Sequence, residues 1–94
     1  MMRPVHPGEV LADELAELDI SAAELARQLE VPPNRITQVL KGDRAVTGDM
    51  ALRLAHWFGM SAEFWLNLQS QYEISIARQK LGPRLATLPQ RKSA

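Results

Sequence analysis

Asn34, Arg35, Thr37 and Gln38 crowd into a short stretch of the chain, and together they carry the donors and acceptors that pair with the edges of nucleic-acid bases. Asn and Gln match adenine bidentately, Arg offers a two-pronged fork to guanine, and Thr offers a hydroxyl with a methyl group beside it. Ser21 before them and Lys41 and Arg44 after them are suited to phosphate oxygens, which position a protein on a duplex without reading its sequence. The segment PNRITQVL, residues 33–40, contains no carboxylate. A merely solvated helix face would be expected to mix both signs of charge.

Other chemistries find less support. His6 and Glu9 stand three residues apart with Asp13 near them, a spacing that a metal could use on a helix. Catalytic zinc sites normally take three protein ligands with histidine prominent, and the only other histidine, His56, is far along the chain. A helix-entry role for His6-Pro7-Gly8 is the better expectation. The chain has no cysteine, which excludes a disulfide, a thiolate nucleophile and a zinc site built on sulfur. No phosphate-cradling glycine loop or nucleophile elbow occurs, so neither an enzymatic activity nor a metal or cofactor is expected.

The elements that must position the polar cluster read as helices throughout. Val10, Leu11, Leu15 and Leu18 recur at three- and four-residue steps after Pro7, predicting a first helix from Pro7 to about Leu18. Ser21 with Glu24 three residues on has the pattern of a reciprocal capping box opening a second helix, about Ala22 to Leu29. A third, about Pro33 to Lys41, has Ile36, Val39 and Leu40 as its inward stripe and Gly42 as its stop. Thr47 opens a fourth helix that Gly59 ends, and Ser61 opens a fifth that continues from Ala62 to Leu81. Only Glu30-Val31-Pro32 separates the second and third helices, which is the short joint of a helix-turn-helix unit at about 21–41, with Ala26 small enough for a close crossing. Glu30 occupies the joint position where glycine would enter left-handed backbone freely, a strain of about 1 kcal/mol. The expected fold class is all-α: five helices forming a helix-turn-helix DNA-binding domain over residues 1–82, with a long C-terminal helix, and a short mobile tail over 83–94.

A chain of 94 residues, 46% apolar and 23% charged, fits one small globular domain. Its net charge of zero conceals a gradient: residues 1–26 carry −5, residues 27–62 carry +2, and residues 63–94 carry +3. Basic groups around the third helix suit a phosphate backbone. The acidic first helix, with Glu14, Glu17 and Asp19 outward, should face away from it. No apolar run reaches the roughly 18–20 residues that span a bilayer, and the opening MMRPVHPGEV lacks the apolar stretch of a secretory signal. The expected location is the cytoplasm, without a membrane partner.

Trp57, Phe58, Phe64 and Trp65 bracket the turn at Gly59-Met60-Ser61-Ala62. Phe58 and Phe64 are expected in the core, with a tryptophan at a subunit contact. Along the fifth helix Trp65, Leu68, Tyr72 and Ile76 continue a stripe longer than four short helices can cover. The expectation is a symmetric homodimer with this helix near its two-fold axis, which sets two copies of the third helix about 34 Å apart on a palindromic duplex.

The opening HPGEVL, the unit SAAELARQLEVPPNRITQVLKGDRAVTGDMALRLAHWFGMSAEFWLNLQ and the QYEI after it resemble the HigA/VapI-type antitoxins, within the Xre-like, λ-repressor-like helix-turn-helix proteins. The resemblance covers about residues 6–76. It implies a dimeric regulator that binds double-stranded operator DNA of its own operon and neutralises a small basic toxin, typically an mRNA interferase. It places base reading on Asn34, Arg35, Thr37 and Gln38, and flanking contacts on Pro33, Ser21, Lys41 and Arg44. A stand-alone transcriptional regulator without a toxin is the first alternative. A protein-interaction module that no longer binds DNA is the second.

Overall fold

The computed structural model describes residues 3–91, so Lys92 and the last part of the expected tail lie outside the described residues. The chain folds into α1 (Pro7–Leu18), α2 (Ala22–Leu29), α3 (Pro33–Leu40), α4 (Gly48–Phe58), α5 (Ala62–Leu81) and α6 (Arg84–Thr87). The fold is all-helical, as the periodicity implies. It departs from a five-helix count because Pro83 is followed by one further turn, α6, where a tail without helix was expected. Every residue of that turn is exposed.

Helix boundaries follow from their caps. Ser21, Thr47 and Ser61 each accept a hydrogen bond from an amide of the following first turn, those of Glu24, Met50 and Phe64. The reciprocal box, however, forms at α1 and not at α2. His6 Nδ1 accepts from the Gly8 amide at 2.9 Å while Glu9 Oε2 accepts from the His6 amide at 3.2 Å. At α2 the serine half is present, but Glu24 turns along the helix to Arg27 and Gln28. Cationic and amide donors one turn away outcompete the backbone amide for that carboxylate.

Leu11, Leu25, Ala26, Ile36, Ala51, Leu54 and Trp65 are wholly removed from solvent and form the centre of the core. Ala26 lies in it beside Ile36 and Val39, consistent with the close α2–α3 crossing. Gly8 brings α1 against the end of α3 so tightly that a Cβ there would stand 1.9 Å from the Val39 carbonyl oxygen. Trp65 corrects an expectation: it is completely enclosed by its own domain, so it has no surface to give a subunit contact. Phe64 is the reverse case, 40% exposed rather than in the core. The first half of α5 is the wall of this core, while its second half runs past the body. The Cα radius of gyration is 16.4 Å, against about 12 Å expected for a compact chain of this length.

The joint between α2 and α3 is left-handed at Glu30, with φ 59° and ψ 46°. Arg53 of α4 compensates: its guanidinium donates to the carbonyls of Leu29 and Glu30, taking up acceptors that the end of α2 leaves open. Glu30→Gly should therefore raise stability by at most about 1 kcal/mol, since relief of strain is partly offset by the freedom glycine adds to the unfolded chain. A urea midpoint that falls on this substitution would refute the strain assignment.

Candidate nucleic-acid interface

The surface that could meet a nucleic acid is built on α3, whose buried Ile36 and Val39 turn its other side outward. Asn34, Thr37, Gln38 and Lys41 are spaced three, four and seven residues apart and form one stripe along the helix. Asn34, Thr37, Lys41 and Pro33 are exposed, as are Ser21 at the start of α2 and Arg44 in the loop after α3. Arg44 joins the stripe directly, its Nε donating to Gln38 Oε1 at 2.7 Å. Thr37 Oγ1 donates to the Asn34 carbonyl at 3.2 Å, an internal bond that a ligand can exchange for its own. Arg35 stands apart from this group. It is only half exposed and leans toward the first turn of α4, where its Nη2 lies 3.4 Å from Asp49 Oδ2.

Three polar residues hold this surface in place: Gln69 and Asp49, assigned no role from sequence, and His6, expected only at the entry of the first helix. Gln69, buried on α5, accepts the Val46 amide on Oε1 at 2.8 Å and donates from Nε2 to Glu73 at 2.8 Å. That bond pins the loop carrying Arg44 to the C-terminal helix. His6 does the same from the other side: its ring packs edge-on to Tyr72 with centroids 4.8 Å apart, and Gly42 lies against it. Burial holds the His6 ring below the usual histidine pKa, outweighing the attraction of Glu9 and the hydrogen bond to the Arg44 backbone. The neutral ring is the form whose Nδ1 can accept from Gly8. The third is Asp49, whose carboxyl is held below its ordinary range first by hydrogen bonding from Arg53 and further by the charge of Arg35. Gln69 had a visible signal, a polar residue on the body-facing line between Trp65 and Tyr72.

Of the His6, Glu9 and Asp13 grouping, the first two are engaged within the protein and Asp13 is exposed. His6 and Glu9 cap α1, and Glu9 is bridged by Arg3 at 2.6 Å. His56 is exposed on the last turn of α4 and lines a shallow cleft of about 290 Å³ with Leu29, Leu52 and Trp57. Among the described residues, no helix is long and apolar enough to cross a membrane.

Comparison with known proteins gives a consistent result. The helix-turn-helix family matches residues 11–65. Virulence-associated protein I of Dichelobacter nodosus is 43% identical over 79 residues, which is 83% of this chain and 73% of that protein. Among solved structures, an addiction module antidote protein of the HigA family from Coxiella burnetii superimposes with a TM-score of 0.93 at 50% identity, covering 97% of this chain and 100% of that one. The Pseudomonas aeruginosa antitoxin HigA, solved with the higBA promoter, gives a TM-score of 0.91 at 41% identity over 97% of this chain and 100% of that one.

Proposed function

Since the chain belongs to the helix-turn-helix family, in its HigA- and VapI-like branch, we propose that it is an antitoxin that binds operator DNA as a dimer, represses its own operon and neutralises a partner toxin in the cytoplasm. That family consists of DNA-binding regulators and antitoxins, not enzymes. The observation that carries the reading is the stripe of Asn34, Thr37, Gln38 and Lys41, free of carboxylates and tied to Arg44. Within it Asn34, Thr37 and Gln38 read base edges, with Arg35 beside them. Lys41, Arg44, Pro33 and Ser21 meet the backbone. The HigA structure solved with its promoter supports this placement, because the two folds coincide over nearly the whole chain.

Subunit contact belongs to the part of α5 that leaves the body. Leu68 and Tyr72 are half-buried at its edge, and Ile76 continues their line one turn further. Ile74 and Leu81, on the other side of α5 from Ile76, and Leu85 and Leu88 beyond its end are 39–52% exposed, further apolar side chains that association would cover. The acidic outer side of α1, with Glu17 and Asp19 exposed, is turned to a basic toxin.

DNA reading is tested by fluorescence anisotropy on the duplex upstream of the protein's own gene. Arg35→Ala should cost about 1–3 kcal/mol and relax preference at one or two base pairs, whereas Arg44→Ala should weaken all sequences alike and flatten the salt dependence. An Arg35→Ala protein with unchanged affinity and unchanged sequence preference would remove α3 from the interface. Toxin neutralisation is tested separately, by co-expression with the product of the neighbouring gene: growth rescue supports the antitoxin, and its failure beside intact DNA binding favours a regulator without a toxin.

A further inference from the structure

Asp49, in the first turn of α4, stands between two arginines. Its Oδ2 accepts from Arg53 Nε at 3.0 Å and lies 3.4 Å from Arg35 Nη2. Arg53 is anchored in turn on the Leu29 and Glu30 carbonyls at the end of α2. The chain of contacts therefore runs from a fixed backbone, through one carboxylate, to the arginine beside the reading stripe. Arg35 responds to it. Its side chain is only 26% exposed, and its Nε is enclosed without a partner. With Nε enclosed and one hydrogen of Nη2 directed to Asp49, the outer edge of the guanidinium, Nη1 and the second Nη2 hydrogen, is what remains for a ligand.

We infer that Asp49 is a positioning residue for DNA specificity, holding the Arg35 fork in a fixed orientation against α4 so that it meets a base edge and not the nearest phosphate. This rests on the DNA-reading function proposed above. The selectivity has a simple physical origin. A bidentate contact with guanine leaves the Arg35–Asp49 pair in place, because it uses the opposite edge of the fork, and a pre-oriented fork gives up little rotamer freedom on binding. A phosphate that lies off this fixed direction is reached only if Arg35 leaves Asp49. The carboxylate thus penalises non-specific binding while supporting the specific contact.

The test measures affinity for the upstream duplex and for a scrambled duplex of equal length, using the wild type, Asp49→Asn, Arg35→Ala and the double variant. Asp13→Asn, an exposed site on α1, controls for the loss of one negative charge. Asp49→Asn should tighten binding to the scrambled duplex by about 3–10-fold, steepen its salt slope by about 1, and leave the upstream duplex bound no more tightly. In the Arg35→Ala background the same change should alter the specificity ratio no more than the control does. If Asp49→Asn strengthens both duplexes equally, as Asp13→Asn should, or if its effect on the ratio survives without Arg35, the positioning role is overturned. Thermal melting checks that each variant is folded. Asp49→Ser, also uncharged and able to bond the first-turn amides, takes the place of Asp49→Asn should that protein not fold. A wild type that fails to distinguish the two duplexes overturns the DNA-reading function and this role with it. A wild type that distinguishes them, beside an unaltered ratio in Asp49→Asn, overturns the positioning role alone.

Discussion

Replacing Gly8 with alanine should destabilise the domain by about 3 kcal/mol, at the upper end of what overpacking costs, and should weaken DNA binding by more than the loss of folded protein accounts for. A Cβ at this position would lie 1.9 Å from the Val39 carbonyl oxygen and 2.8 Å from its carbonyl carbon. Both are backbone atoms in α3, so no side-chain rotation relieves the clash. The added carbon would also come 3.1 Å from His6 Nδ1, which receives the Gly8 amide and caps α1. Either the start of α1 lifts away, breaking the cap, or α3 shifts outward and carries Asn34, Thr37 and Gln38 with it. The expected fall in melting temperature is about 12–24 °C, because each kcal/mol moves a domain of this size by roughly 4–8 °C. Gly48→Ala is the matched control: nothing lies within 4 Å of its Cβ position, and it should melt near the wild type. A Gly8→Ala protein that melts within a few degrees of wild type and binds DNA normally would show that α1 and α3 are not locked in this way.

What the sequence disclosed and what it hid divide along the range of the interactions involved. Helix limits were legible because caps and stops are local: Ser21, Thr47 and Ser61 act on amides three residues away. The outward stripe of α3 was legible for the same reason, since a helix of known period with Ile36 and Val39 buried leaves its polar residues only one side to occupy. Contacts spanning many residues were not legible. Arg53 reaches back 24 positions to the Leu29 carbonyl, and Gln69 reaches 23 to the Val46 amide. Neither partner has a side chain in the bond, so no pairing of residue types announces it. The stripe on α5 misled for a related reason. Helical period places Trp65, Tyr72 and Ile76 on one line, but it does not say where along that line the protein's own core ends. That end falls after Tyr72, whose ring still packs on His6. Trp65 is therefore an intramolecular core residue, and the subunit contact proposed for α5 belongs nearer its C-terminal half.

Moving the proposed contact outward turns the proposed dimer into a sharper prediction. Ile76→Glu should convert the dimer to a monomer in sedimentation at micromolar concentration and reduce affinity for a full palindromic duplex by a factor on the order of 10²–10³, from the loss of the second, tethered half-site. The substitution leaves the domain core alone, since no residue beyond Gln69 on α5 is buried and Glu is a good helix former. Its force is desolvation: at a symmetric contact along the Tyr72–Ile76 line of α5, each copy would have to bury an added carboxylate. Affinity for a single half-site should stay within about twofold of wild type, because α3 and Arg44 are far from the change in sequence and are held by Gln69, which remains. That contrast separates dimer loss from damage to the reading surface. A wild type that sediments as a monomer would dispose of the dimer, and an Ile76→Glu protein that stays dimeric would move the contact elsewhere. Full-site affinity that survives in a proven monomer would mean that one copy of α3 suffices, and that the projecting half of α5 serves something other than DNA spacing.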